Sequence, residues 1–426
     1  MKILMVDKYY FVKGGAERYM FEISKVLQAN GHEIIPFAMR HEQNFDTPYA
    51  DFFVSNIEYD QSSVFAKIAT VGRATGRMIY SIEARNRIAR LIEETQPDIA
   101  HLHMIDHQLS PSILHALKAF RIPVIQTVHQ YKLACPNYRL YNPTSGRVCE
   151  KCLNGNFLHP ILERCHKGSL VASSMIALES TLHRLIGIYE KNIDIFHVPS
   201  YFMGLKLNEA GVGERKVRHL FYAINIRDFQ PNITAGDYVL YFGRLADEKG
   251  ILTLLRAARR YPRAPLYIVG DGPQRPILQE FVDKHDLSQV KFLGLKSGVE
   301  LKTLVQNARV IVVPSEWYDN SPLVIYESFA YGKPVICSKM GGMPELVDHE
   351  ENGLHFEAGD VQELAARIAS LWENPKRAIA FGQAARAKAE NEFDPDRHYH
   401  KIHEWYQELT GTGVNATQEL RKDHDV

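Results

Sequence analysis

The sequence predicts an α/β protein built from two doubly wound domains, and three observations predict it. Short apolar runs alternate with helical patterns. Glycine-bearing turns follow the first run of each half, "KGGAER" and "FGRLADEKG". The whole pattern then restarts at roughly residue 235. Strand–helix–strand alternation of this kind specifies a parallel sheet covered on both faces.

In order, "KILMV" at residues 2–6 reads as the first strand and stops at the turn "DKYYFVKGGAER". Met20, Ile23 and Leu27 then recur at helical spacing, and Asn30-Gly31 closes that helix. "HEIIPFA" reads as the second strand, with "DIAHLH" and "PVIQTV" following on either side of the helical "SPSILHALKAF". The second half offers five strand candidates: "YVLYFG", "LYIVG", "VKFLG", "VIVVP" and "PVICS". The stretch between the halves, "FYAINIRDFQPNITAGD", has the mixed polar and Pro/Gly character of a linker. The expected domains are residues 1–222, with a cysteine-rich insertion at 135–165, and residues 236–392. A helix at 393–409 is expected to cross back to the first domain, and 410–426 to be a disordered tail.

Composition bounds the partners. Of 426 residues, 45% are hydrophobic and 23% charged, the profile of a globular protein. Lys+Arg and Asp+Glu both number 50, so no overall field draws the chain to nucleic acid. No apolar stretch reaches the roughly 18 residues a membrane span needs. The opening apolar run is too short for a signal-peptide core. The expectation is a cytoplasmic protein, open to peripheral contact with a membrane.

The most informative stretch is "DNSPLVIYESFAYGKPVICSKMGGMPEL", residues 319–346. Ser321-Pro322 reads as a helix start, with serine as cap and proline in the first turn. The amides of Leu323 and Val324 would then lack intrahelical acceptors and point at an anion, most simply a phosphate. Asp319 and Glu327 beside that anion suit neutral hydroxyls, such as those of a sugar. On an isolated D-x7-E, a helix-entry residue and a solvated glutamate account for the pair as well; the flanking sequence favours a ligand. Arg244 and Lys249 in "FGRLADEKG" supply a fork and a point charge for a diphosphate. Gly14 and Gly15 allow close backbone approach to a phosphate.

Here the residues resemble a known family. "GRLADEKG", "VGDGP", "VVPSEWYDNSPLVIYESFAYGKPVICSKMGGMPELV" and "NGLHFEAGD" resemble the retaining, nucleotide-sugar-dependent transferases with the GT-B fold, glycosyltransferase family 4 (group 1). The resemblance implies two Rossmann-like domains facing a central cleft. It implies transfer of a hexose-type sugar, from a UDP-sugar by the family's habit, to a glycan or lipid-linked acceptor in polysaccharide biosynthesis. Carried over by position, Glu327 holds the ribose hydroxyls, and Arg244 and Lys249 clamp the diphosphate. The backbone around Asn320, Ser321 and Leu323 meets donor sugar and phosphate, and that of Leu295 meets the nucleobase. Gly14 and Gly15 touch the phosphate from the first domain. His129 matches the family histidine that faces the transferred sugar. The match departs at Asp319, where the family usually has glutamate, with Glu316 as a stand-in, and at Gln130, where aspartate is commoner. The implied mechanism retains configuration, with a leaving-group phosphate oxygen taking the acceptor's proton and no metal required.

Other features stay open at this level. Cys135, Cys149, Cys152 and Cys165 fit a tetrahedral structural zinc or a set of unbridged thiols. Cys337 reads as core. His101, His103 and His107 suit acceptor contact, metal or a structural role. Arg73, Arg77, Arg85, Arg87 and Arg90 decorate a helix whose Met78, Ile82, Ile88 and Ile92 form an apolar stripe, either turned into the core or laid on lipid. Two rival functions remain. A dehydrogenase would need G-x-G-x-x-G, which the first turn lacks. A transferase-shaped partner that binds nucleotide sugar with weak catalysis is the other.

Overall fold

The structure, a computed structural model, describes residues 1–56 and 75–412. The chain forms two compact units, neither continuous in sequence. One is Met1–Thr127 with Ile186–His197 and the residues from Pro395 onward; the other is Val128–Leu185 with Val198–Asp394. The expected division near 222–236 is therefore displaced. Residues after Thr127 bond to the later half: Asn320 Nδ2 donates to the Val128 carbonyl at 3.3 Å, and Ser200 Oγ to Asn320 Oδ1 at 2.6 Å. The Ile224 amide likewise donates to the Phe393 carbonyl at 3.0 Å.

In the first unit, strands β1 (Lys2–Val6), β2 (Glu33–Phe37), β3 (Ile99–Leu102), β4 (Val124–Thr127) and β5 (Ile195–Val198) lie in the order β2-β1-β3-β4-β5, all parallel. Ile3, Leu4, Met5 and Val6 are all buried, as a parallel strand covered on both faces requires. Helix Gly15–Ala29 buries Tyr19, Met20, Ile23 and Leu27, the stripe its spacing predicts. Helix Pro395–Thr410 belongs to this unit and is held by paired rings. Tyr19 OH bonds His398 Nε2 at 2.8 Å, His32 Nε2 bonds Tyr399 OH at 3.1 Å, and His101 Nδ1 bonds Tyr406 OH at 2.6 Å. Of the expected tail, Thr410 ends that helix, and residues 413–426 lie outside those described.

In the second unit, β6 (Val239–Phe242), β7 (Leu266–Val269), β8 (Val290–Gly294), β9 (Val310–Val313), β10 (Val335–Ser338) and β11 (Gly353–Phe356) form a sheet in the order β8-β7-β6-β9-β10-β11, again all parallel. Five of these are the predicted runs. β11, in "NGLHFEAGD", was not predicted; it is four residues long and starts on glycine. Cys337 lies fully buried in β10. The strand order reverses between β6 and β9, and ligands of such sheets sit beyond the carboxyl ends of the strands at that point. The loops leaving β6 and β9 carry Arg244, Lys249 and Asp319. Among the described residues, no helix is long and apolar enough to cross a membrane.

One buried charge sets an alkaline stability window. Lys333, 1% exposed, donates to the Thr234 carbonyl at 3.1 Å, and burial lowers its pKa to about 8. Below pH 8 it is protonated in both folded and unfolded chains. Above that, the folded chain loses the proton while the unfolded lysine holds it to about pH 10.4, so stability rises between these values. Urea unfolding at pH 7 and 9.5 is expected to show the wild type gaining roughly 2 kcal/mol relative to Lys333→Met, at about 1.4 kcal/mol per unit.

Candidate functional site

The loop after β6 turns at Gly243, and Arg244 stands exposed on it, with no ion pair among the described residues. Its carbonyl, not its guanidinium, is fixed, by Tyr241 OH at 2.8 Å. Lys249 closes the same loop. Its Nζ lies 2.5 Å from Asp319 Oδ2 and 5.2 Å from the centroid of the Trp317 ring. Ser315 Oγ donates to the same carboxylate oxygen at 3.1 Å. Asp319 is thus 8% exposed and already engaged by a cation and a hydroxyl. The sequence assigned Lys249 to the diphosphate and Asp319 to the sugar; the structure joins them to each other. Glu316 is committed elsewhere, accepting from Thr253 Oγ1 at 2.5 Å.

The helix after this loop runs Leu323–Ala330, with Pro322 in the cap position at ψ 120° and no side-chain cap. The expected serine cap is corrected by one residue. Ser321 Oγ is taken instead by Tyr326 OH at 2.6 Å, one turn into the helix. Tyr326 OH also accepts the Tyr222 amide at 3.3 Å, and Tyr222 OH bonds His129 Nδ1 at 2.6 Å. A hydrogen-bonded line therefore connects the start of helix Leu323–Ala330 to the histidine that follows β4. Asn320, 8% exposed, is pinned by Ser200 and by the Val128 carbonyl just before His129. Glu327 is 9% exposed on the inner side of the same helix. Leu323, the helix's first residue, is partly exposed.

The "MGGMPEL" turn supports this loop from behind. Gly341 has φ +61°, and a Cβ there would lie 2.2 Å from the Asp319 carbonyl oxygen. A Cβ on Gly342 would lie 2.0 Å from the Asn320 carbonyl oxygen. Glu345 in the same turn accepts the amides of Tyr201 and Phe202 at 2.6 and 2.7 Å, capping helix Tyr201–Glu209. Sequence reading missed Tyr222, Tyr326, Ser200 and Glu345, because their partners, Ser321 for Tyr326 apart, are distant in the chain. The Gly-Gly pair was visible, though its role was not.

The remaining candidates fall as follows. Gly14 sits in extended backbone ahead of helix Gly15–Ala29 in the first unit, and its amide donates to Glu17 Oε2 at 2.9 Å. That amide is engaged by a carboxylate where a phosphate was expected. Leu295 follows Gly294 at the end of β8, its side chain 79% exposed. His101 and His103 are fully buried, and His101 bonds Thr127 and Tyr406, a structural role. Helix Ile82–Thr95 buries Ile88, Leu91 and Ile92, while Arg77 and Arg87 pair with Glu83. That helix turns its apolar stripe inward, although Ile82 is 67% exposed; Arg73 lies outside the described residues.

Cys135, Cys149, Cys152 and Cys165 are all free thiols. Burial first, and then the neighbouring Cys135, Cys149 and Cys165, push the Cys152 thiol well up. Cys165 is pushed up to about 12 by burial and then by Cys135 and Cys149. Asn137 accepts from Cys135 Sγ at 3.1 Å and donates to the Cys165 carbonyl at 3.2 Å, tying two of the segments together. Among the described residues, no group of three or more His, Cys, Asp or Glu side chains is placed to hold a metal ion.

Comparison with known proteins bears on this arrangement. The family model "Glycosyltransferase Family 4" matches residues 13–153, and that of "Glycosyl transferases group 1" matches residues 224–388. The chain belongs to glycosyltransferase family 4, group 1. This transferase is 25% identical over 417 residues to the glycogen synthase of Mycobacterium tuberculosis, spanning 92% of its own length and 91% of that protein's. Its fold matches the crystal structure of Anabaena Alr3699/HepE in complex with UDP and glucose, with a TM-score of 0.66 at 19% identity over 96% of this chain and 100% of the other. It also matches sucrose-phosphate synthase from Thermosynechococcus elongatus, with a TM-score of 0.69 at 19% identity over 97% and 100% of the two chains. The transferase has the GT-B fold.

Proposed function

We propose that this glycosyltransferase moves a hexose-type sugar from a nucleotide sugar, with a UDP-sugar as the expected donor. The acceptor is a glycan or a lipid-linked acceptor in polysaccharide biosynthesis, and the anomeric configuration is retained. One observation carries the reading: Arg244, exposed and with no ion pair among the described residues, and the Lys249 ammonium lie on the loop at the switch point of the second sheet, whose other side leads into helix Leu323–Ala330. Two cations and helix-start amides suit a leaving diphosphate, whose charge grows as the glycosidic bond breaks. A phosphate oxygen of that group would take the acceptor's proton on the same face. The proposed chemistry draws on these side chains and calls on no metal. His129, oriented by Tyr222, would face the transferred sugar. The UDP and glucose bound by the Anabaena neighbour support the choice of donor.

Titrating the protein with a panel of UDP- and GDP-sugars tests the donor, and NMR of the product's anomeric centre tests retention. Glu327→Gln is expected to weaken nucleotide-sugar binding roughly tenfold or more, since a charge-assisted hydrogen bond is worth about 1.5–3 kcal/mol. Unchanged affinity would remove Glu327 from the ribose.

We also propose that the four clustered thiols take a structural zinc, drawing together as it binds. The apolar cluster around them is small, holding Cys152, Phe157 and Ala177 with Ile161 packed against it. Elemental analysis of the purified protein is expected to find one zinc per chain, and a metal-free result would reject the site.

A further inference from the structure

Helix Leu170–Ile186 is built with its polarity reversed. Toward the protein it buries Ser173, Glu179, Ser180 and His183 alongside Ile176 and Ala177. Toward solvent it shows Leu170 at 50%, Val171 at 64%, Leu178 at 49% and Leu185 at 75% exposure. Val171, Met175, Leu178, Leu182 and Leu185 recur at alternating steps of four and three, so they share one stripe along the helix. The inner face is fixed by Lys132 Nζ on Glu179 Oε2 at 2.6 Å, two groups that are themselves buried. The stripe therefore cannot roll inward without carrying Glu179 off Lys132 and leaving that ammonium buried without its carboxylate.

The preceding short helix His159–Glu163 extends the apolar surface, with Leu158 64% and Leu162 77% exposed. Ile161 packs with Phe157 onto the cluster that contains Ala177, which sets this helix beside the longer one. Within residues 151–186 the exposed charges are predominantly basic. Arg164, Lys167 and Arg184 are exposed. The only acids between residues 151 and 186 are Glu163, bonded to Lys151 and to Asn142, and the buried Glu179.

We infer that this face docks on an anionic lipid bilayer. An exposed apolar patch of this extent marks an interaction surface. A stripe rimmed by cations at both ends, on a helix shorter than a span requires, matches an element lying in the plane of the interface. A second copy of the chain would bring the same cations face to face, whereas anionic headgroups neutralise them. Its test needs neither donor nor acceptor.

The experiment is flotation of the full-length protein with vesicles of phosphatidylcholine alone, or with roughly a third phosphatidylglycerol. Binding is expected only to the anionic vesicles and to weaken as salt rises. The double variant Leu178→Glu/Leu185→Glu should reduce it at least tenfold. Lys167→Glu and Arg184→Glu should each reduce it roughly fivefold or more. All four positions are exposed, so circular dichroism should match the wild type and confirm folding; the Arg184 guanidinium also lies 5.9 Å from the Phe157 ring centroid, so a small fall in thermal midpoint is expected for that variant alone. Failure to bind anionic vesicles, or binding untouched by the leucine variant, would overturn the inference. So would a concentration-dependent dimer that the leucine variant abolishes, which would assign the face to self-association.

Discussion

Replacing Lys249 with methionine is expected to lower kcat by two to three orders of magnitude, the usual loss when one preorganised donor to a developing negative charge is removed. The same change should also destabilise the fold, because among the described residues Asp319 keeps only Ser315 as a side-chain partner for a carboxylate that is 8% exposed. Breaking a buried pair from one side costs roughly 3–5 kcal/mol; here Lys249 is partly exposed, so the lower end applies. The second variant, Lys249→Met/Asp319→Asn, separates the two effects. It removes the stranded charge, so urea unfolding should return close to wild type. If Lys249 meets the leaving diphosphate, turnover stays low in the double variant. Recovery of both stability and turnover would mean that Lys249 serves only to hold Asp319, and the diphosphate would lose one of its two cations.

The second large effect is Gly341→Ala. At φ +61° any side chain carries a backbone penalty of roughly 1–3 kcal/mol. The larger consequence is steric, since the new methyl would lie 2.2 Å from the Asp319 carbonyl oxygen and 2.8 Å from its nitrogen. Backbone must move, and the backbone that moves is the loop leading into helix Leu323–Ala330. Loss of most donor affinity and turnover is expected, together with a lower unfolding midpoint. Gly359→Ala is the control: its φ is +80°, and nothing lies within 4 Å of the added methyl. It should show the conformational penalty alone, with donor affinity preserved. Equal effects from the two variants would show that contact with Asp319 does not matter.

These two variants mark the boundary of what could be read from the chain. Strand candidates were legible because fully buried parallel strands are nearly continuous apolar runs, as "KILMV" and "VIVV" show. Helix Gly15–Ala29 was legible from three residues at helical spacing. β11 was not, since four residues beginning with glycine carry too little pattern to stand apart from a turn. Ser321 was read as a cap on local grounds, and those grounds were sound. A tyrosine hydroxyl arriving from one turn away competed for it, and local propensity holds no record of that. The buried histidines show the same limit from the other side. His101 looked like a ligand-bearing strand end, yet its partners Thr127 and Tyr406 come from 26 and 305 positions away.

By itself, the sequence determined the α/β class, the restart of the pattern in the second half, the family, and the identity of the residues at the switch point. Those depend on periodicity and on short-range order, which a linear chain displays directly. Only the tertiary structure decided that Lys249 and Asp319 form a pair, that Tyr222 orients His129, and that residues 128–185 group with the later half. It alone turned the Leu170–Ile186 helix so that leucines face outward. Each of these is a contact between segments far apart in sequence, and its sign depends on which groups burial leaves competing for the same partner.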